Sequence, residues 1–344
     1  MNLVFALMLL AAPDKVRIVS SCSTCHRPLA AAHAQTWMSK AQQHAPQSPV
    51  LTSHPDMSAS IGPFLFRIQT SDGAAIYSAS RGANTVSVPL LWALGAGELA
   101  QTYIFERGGS FFESRASFYR AVNGLDLTIG HEPFDPKTPE EALGRRLTQG
   151  EVIACFGCYS ASSPVASENQ QSRGSASWIE NRIAGVQCEN CHADSWRHAA
   201  GLLDKAPAPV VPIRLKGSLA EEISQLCGAC HKTYEDVKAH GPSGIHNVRL
   251  QPYRLTLSKC YDPSDARIAC TACHDPHHRE MERVDSKSYD KACLACHRAP
   301  KKTCPVAKAD CVSCHMPRYE IPGSYFRFSD HNIRVARPGA PYPD

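Results

Sequence analysis

Residues 270–297 open with Cys270-Thr271-Ala272-Cys273-His274-Asp275-Pro276-His277-His278 and close with Cys293-Leu294-Ala295-Cys296-His297. The pattern C-x-x-C-H occurs six times, beginning at Cys22, Cys188, Cys227, Cys270, Cys293 and Cys311. It is the attachment signal for haem c. Two thiols three positions apart can each form a thioether with one vinyl group of a single porphyrin, and the next residue, His, then lies under the iron as its proximal ligand. At this Cys and His content chance would give about 0.03 such motifs. Structural zinc pairs two knuckles, or one knuckle with a distant His pair, and has no need of His directly after each second Cys. A thioredoxin-type site would be one C-x-x-C in a βαβ setting. The motifs therefore assign Cys22, Cys25, Cys188, Cys191, Cys227, Cys230, Cys270, Cys273, Cys293, Cys296, Cys311 and Cys314 to haem attachment. They assign His26, His192, His231, His274, His297 and His315 to iron. A seventh pair, Cys155-Phe156-Gly157-Cys158-Tyr159, has Tyr where the proximal His belongs. Haem c is thus the expected cofactor, with seven copies expected and six the minimum.

The rest of the chain agrees with an exported haem protein. Its 344 residues are 43% hydrophobic and include 21 Gly and 25 Pro, a loop-rich composition. No segment runs eighteen apolar residues without a break, so no membrane span is expected. Residues 1–13 resemble a secretory signal, with apolar Leu3 to Leu10 and small Ala11 and Ala12, although no Lys or Arg precedes them. Periplasmic or extracellular placement follows. There Cys260 and Cys304, the two cysteines outside the motifs, are expected to pair in a disulfide worth about 3–4 kcal/mol. The polypeptide carries +4 at pH 7. Seven haems would bring fourteen propionates, taking the whole to roughly −3 oxidised and roughly −10 reduced. Nucleic-acid binding has no support.

The spacing of the motifs divides the chain. A long gap follows Cys25; from Cys155 onward the pairs are close enough that each haem must touch its neighbours and supply much of the core. The gap reads as antiparallel β structure. Phe64 to Thr70, a turn at Ser71-Asp72-Gly73 and Ala74 to Ser80 form one hairpin. Tyr103 to Glu106, a turn at Arg107-Gly108-Gly109 and Ser110 to Tyr119 form another. Val86 to Leu94 is a further strand, with Pro89 placing it at an edge or a bulge. Helices are expected from Thr138-Pro139-Glu140-Glu141 towards Cys155, from the Ser218 capping box to Cys227, and over His33 to His44. The tail after Ile321 reads as irregular. The predicted class is α+β: a mostly helical, loop-rich, haem-packed protein with a small inserted antiparallel β region. Its segments are 1–13 (signal-like), 14–60 (first haem), 61–132 (β-rich insertion), 133–335 (multihaem) and 336–344 (tail).

Ten His remain beyond the proximal six, enough to give most irons a second imidazole and leave them low-spin. His198, His277 and His278 follow their own motifs so closely that steric fit favours service to a neighbouring haem. His33, His131, His198, His277 and His331 are the candidate distal ligands, with His131 a candidate for the Cys155–Cys158 haem. His54, His240 and His246 sit in Pro- or Gly-rich loops and are left out. Met38 is a candidate ligand of an early haem or a packing residue.

Several stretches resemble the multihaem cytochromes c of the cytochrome c-554-like superfamily, whose relatives include the nitrite reductase and hydroxylamine oxidoreductase groups. They are Trp92 to Gly97 with Thr102-Tyr103, Glu113 to Tyr119, Val186 to His192, Cys270 to His277 and Cys311 to Pro317. The resemblance implies that a His shortly past one motif ligates another haem, as for His198, His277 and His331. Tyr159 departs from the group, which has His there; in pentahaem nitrite reductases a changed proximal residue marks the catalytic haem. Two functions follow. The first is electron relay between redox partners, which include other redox proteins or quinol-linked donors. The second is reduction or oxidation of a small nitrogen or sulfur compound at the Cys155–Cys158 haem, with Tyr159 in the proximal position either as a phenolate ligand or not binding and leaving an open iron. An oligomer or a filament is compatible with either.

Overall fold

The computed structural model describes residues 22–162, 172–193, 195–203, 215–278, 286–297, 304–337, 339 and 341–343. The signal-like segment 1–13 lies outside them.

Side-chain alternation builds the first half. In β3 (Phe64–Ser71) the residues Phe64, Phe66 and Ile68 point inward while Leu65, Arg67 and Gln69 face solvent; in β4 (Ala74–Arg81) Ala75, Tyr77 and Ala79 point inward. The two strands meet at Asp72-Gly73, both with positive φ (49° and 77°), the backbone of a tight hairpin. Eight further strands join them: β1 (Gln42–His44), β2 (Asp56–Ile61), β5 (Asn84–Leu94), β6 (Ala100–Arg107), β7 (Ser110–Ser114), β8 (Ala116–Tyr119), β9 (Gly124–Leu127) and β10 (Gly144–Arg146). The antiparallel order is β10-β7-β6-β5-β4-β3-β2, with β1 paired to β5 and β8 bridging β6 to β9. β5 pairs with β4 through Pro89, bulges between Leu90 and Trp92, and continues against β6 and β1. The sheet curls until β9 approaches β2. Inside the curl lie Phe66, Ile68, Tyr77, Tyr103, Phe105 and Phe118, all fully or almost fully buried.

This overturns the expectation of a mostly helical chain with a small β insertion. The described residues are 36% helical and 26% strand, and ten strands form one sheet from Gln42 to Arg146. The outer strands β1, β2, β9 and β10 have three to six residues each, too short for alternation to stand out in the sequence. The helices, in turn, are mostly one or two turns. Pro139–Ala142 is a single turn capped by Thr138; the helix that reaches Cys155 starts afresh at Gln149 under a Thr148–Glu151 capping box. The helix leading to Cys227 is capped at Leu219, whose N–H donates to Glu222, one residue beyond the expected box. Helix Arg27–His33 ends where the expected helix begins, because Gln42–His44 is taken into the sheet. The tail carries a two-stranded ribbon, Arg318–Glu320 with Arg327–Ser329.

The outer face of the sheet holds a second cluster. Trp92, Ile104 and Phe111 pack against Val152 and Phe156 of the Gln149–Tyr159 helix and against Trp178 and Ile179. Beyond residue 188 the described residues contain one buried apolar cluster, of Ala220, Ile223 and Ala269.

Candidate haem sites

Each motif forms about one helical turn. The His amide donates to the carbonyl of the first Cys at 2.8 Å in His26–Cys22 and His192–Cys188, 3.0 Å in His274–Cys270 and 3.1 Å in His297–Cys293. Residues three apart on such a turn share a face, so the two thiols project together. Local chemistry starts these turns: the Asn190 side chain accepts the Gln187 N–H before Cys188, and Asp290 accepts the N–H groups of Asp310 and Cys311 before the last motif.

The motifs are contiguous. Cys22 contacts Cys188, Cys158 contacts Cys230, Cys227 contacts Cys270, and Cys293 contacts Cys311. Cys191 lies near Cys227 and Cys230, and Cys273 near Cys293. The seven pairs thus form one unbroken series from Cys22 to Cys311, with the Cys155–Cys158 pair branching from Cys230. Gly185 makes the first junction. Its φ is +75° and a Cβ there would sit 1.9 Å from the Ser39 carbonyl oxygen, so only glycine lets the Met38–Ser39 segment lie against the approach to Cys188. Met38 takes part through its carbonyl, which accepts the Val186 N–H.

Imidazoles distant in sequence meet. The rings of His192 and His277 are nearly parallel (11°) with centroids 6.0 Å apart; those of His274 and His331 are 6.2 Å apart. His33 lies close enough to His277 to disfavour its own protonation, after the larger effect of burial. Burial, and then His274, push His331 down to about 4, which keeps it neutral at neutral pH. The Nδ1 atoms of His331 and His315 bond the carbonyls of Ser329 (3.1 Å) and Arg334 (2.9 Å), and His277 Nδ1 bonds Asp275 (3.2 Å). That arrangement leaves Nε2 of each for a metal.

Tyr159 ends the Gln149–Tyr159 helix, 40% exposed, and its crowded setting followed by Cys155 and Cys158 raises the phenol above its usual range. Nearby, Glu113 accepts from buried His131 Nε2 at 3.1 Å and from Arg145 at 3.1 Å, and Arg145 also reaches Glu151. His131 therefore engages Glu113 through one nitrogen and leaves Nδ1 buried without a partner. His198 lies on helix Ser195–Leu203. Cys260 and Cys304 are exposed free thiols, so the expected disulfide is not formed; Cys260 instead lies near Cys293 and Cys296.

Three observations show that these residues fit haem. Cysteine is among the most buried residue types, yet none of the fourteen cysteines of the seven pairs is buried. Two imidazoles on opposite sides of one iron, with bonds of about 2 Å, would have centroids about 6 Å apart, and the His192–His277 and His274–His331 pairs do. The region that carries most of the motifs has a sparse side-chain core, one three-residue cluster with Val237, Val248, Tyr253, Leu255 and Ile321 buried apart from it, a deficit that porphyrins on those cysteines would fill. Sequence reasoning missed Asp330 and Arg254, whose buried pairing beside His331 has no short-range sequence signal.

Comparison with known proteins agrees. Residues 263–302 match the doubled CXXCH motif family. The chain is 23% identical over 196 residues to multiheme cytochrome MtrA of Shewanella baltica (strain OS185), a match covering 53% of this chain and 52% of the relative. It therefore spans about half the length of that curated relative. In structure it is similar to outer cell wall cytochrome OcwA, with a TM-score of 0.52 and 12% identity over 92% of this chain and 78% of that one, a likeness of fold. These similarities are to multihaem cytochromes; they do not establish the c-554-like superfamily that the motifs resemble. Among the described residues no helix is long and apolar enough to cross a membrane.

Proposed function

We propose that this multihaem c-type cytochrome holds a haem c at each of its seven Cys pairs and relays electrons along the series from Cys22 to Cys311, between redox partners in the periplasm or outside the cell. The observation that carries the reading is the contiguity of the motifs, each with a cysteine at or near a cysteine of the next. When bound, haem supplies an iron that takes up and gives back one electron.

The residues of the chain do the rest. Cysteine pairs hold each porphyrin by two bonds, so it cannot leave on a change of oxidation state. His26, His192, His231, His274, His297 and His315 serve as proximal ligands. His277 completes the site of His192 and His331 that of His274, while His33, His131 and His198 remain candidates for others. The Nδ1 bonds of His277, His315 and His331 fix tautomer and ring direction, and the Asp275 carboxylate makes His277 a stronger donor. Two imidazoles on an iron leave it no open position, which suits relay. The Cys155–Cys158 pair, backed by the sheet, holds its haem with Tyr159 at the proximal place. Turnover of a small nitrogen or sulfur compound there is the weaker alternative, since it rests on that one residue.

Intact mass of the exported protein, together with its electron paramagnetic resonance spectrum, tests this. Seven haem masses with six or more low-spin irons are expected. Six masses would leave Tyr159 without a haem, and two or fewer would refute the relay.

A further inference from the structure

His331 follows Asp330, and Asp330 is fully buried. Its partner is Arg254 of helix Gln251–Thr256, also fully buried. Arg254 grips the carboxylate with two parallel bonds, Nε to Oδ1 at 2.9 Å and Nη2 to Oδ2 at 3.0 Å. Its remaining nitrogen donates to Asn247 Oδ1 at 3.3 Å, and the Tyr342 ring lies 4.6 Å from the guanidinium carbon. Asp330 Oδ2 also accepts from Arg334 Nη1 at 2.6 Å. The backbone of Arg334 in turn holds the last motif: its N–H donates to the His315 carbonyl at 3.1 Å, and its carbonyl accepts His315 Nδ1–H at 2.9 Å. Ser258, on the Arg254 side, donates to the His331 carbonyl at 2.9 Å.

One buried carboxylate thus stands between two imidazoles, only one of which belongs to a motif. One is His331, 6.2 Å from His274; the other is His315. A buried ion pair is a poor source of stability, because desolvating both charges offsets most of their attraction. A forked guanidinium–carboxylate contact does supply direction, since both bonds form in one relative orientation only. Direction is what this segment lacks. Between Cys311 and Arg334 the backbone has one helical turn and a short ribbon, with Ile321 the only large apolar side chain that is buried there.

We infer that Arg254 is a positioning residue: its fork on Asp330 sets the His331 imidazole opposite His274 and, through Arg334, fixes the His315 ring of the last motif. The inference rests on the reading that His331 is an iron ligand. The test uses the full, haem-loaded chain and compares H331A, R254M, R254K and the double variant R254M/D330L at equal haem content. H331A should convert one haem's worth of low-spin signal to high-spin, and added imidazole should restore it. R254M should give the same imidazole-reversible signal, and R254K a smaller one, because lysine keeps the charge and loses the fork. R254M/D330L should recover the denaturation midpoint and keep the high-spin signal, since stability returns with the charges removed but direction does not. R254M with no high-spin signal beyond that of the wild type, or, where R254M does not accumulate, R254K with a wild-type spectrum and reduction potentials, would overturn the inference while leaving ligation intact. H331A with no high-spin signal beyond that of the wild type would overturn the ligation reading and the inference with it.

Discussion

Replacing Phe156 by Ala tests how the sheet and the haem region are joined. Phe156 sits between Cys155 and Cys158, fully buried, edge-on to Trp92 with centroids 5.8 Å apart. Around it are Ile104, Phe111, Leu147, Val152, Trp178 and Ile179, from the outer face of the sheet and the segments packed on it. Truncating a buried Phe costs about 3–5 kcal/mol through lost transfer energy and the cavity left behind. The edge-on pair with Trp92 accounts for about 0.5–1.5 kcal/mol of this. With a slope of about 2 kcal/mol per molar urea, the midpoint should fall by about 1.5–2.5 M. The assay is urea unfolding of the haem-loaded protein followed by far-ultraviolet circular dichroism. F156L, which keeps most of the volume, should lose less than about 1.5 kcal/mol. V306A, at a residue 89% exposed, should stay within about 0.5 kcal/mol of the parent. A shift below about 0.5 M for F156A, at that slope about 1 kcal/mol, would show that the Cys155 helix is held by its haem and not by the sheet.

Substituting His277 by Ala should turn one low-spin haem high-spin at unchanged haem mass; an unaltered spectrum would remove His277 from the ligands of the His192 iron. The T148A change should cost about 1 kcal/mol, as the loss of an N-cap does, and E151Q should weaken the same capping box. The Thr148 N–H, and then Arg145, hold the Glu151 carboxyl below its ordinary range. Its contribution is therefore present above the unfolded pKa and lost as pH falls through the folded value, so the acid limb of a stability profile should flatten in E151Q and not in T148S. Y159H should bring the Cys155–Cys158 haem to the spectrum of its neighbours, and no spectral change would mean that Tyr159 is not a ligand.

The cofactor was legible in the sequence because attachment is a covalent demand on five consecutive residues, and no fold context alters it. The long hairpin strands were legible for a similar reason: Phe64, Phe66 and Ile68 alternate with polar or exposed positions over a full strand. The extent of the sheet was not. Gln42–His44 and Gly144–Arg146 become strands only because β5 and β7 offer them edges. Nothing within three residues encodes such a pairing. Pro89 was read as an edge or bulge marker, and the bulge at Leu90–Trp92 lies beside it, but β5 has neighbours on both sides. The Arg254–Asp330 pair joins positions 76 residues apart and carries no motif.

The two halves of the molecule draw cohesion from different sources, and this has a consequence for the apoprotein. From Gln42 to Arg146 the interior is a continuous set of buried aromatic and aliphatic side chains, wrapped by the curled ten-stranded sheet. Burying a large apolar side chain is worth about 1.5–3 kcal/mol, so that set can offset the chain entropy of ordering its strands without any cofactor. From Cys188 onward the described residues offer the cluster Ala220, Ile223 and Ala269, two of the three alanines, and only Val237, Val248, Tyr253, Leu255 and Ile321 as further buried apolar side chains. Ordering each residue costs about 1–2 kcal/mol of backbone entropy, which such a cluster cannot offset. The porphyrins must supply the difference there. Protein made without haem ligation should therefore keep a protease-resistant core over the sheet and lose protection beyond Cys188. Limited proteolysis with mass mapping reads this directly. Equal protection of both halves in the apoprotein would show that side chains alone hold the haem region, and the argument from its missing core would fail.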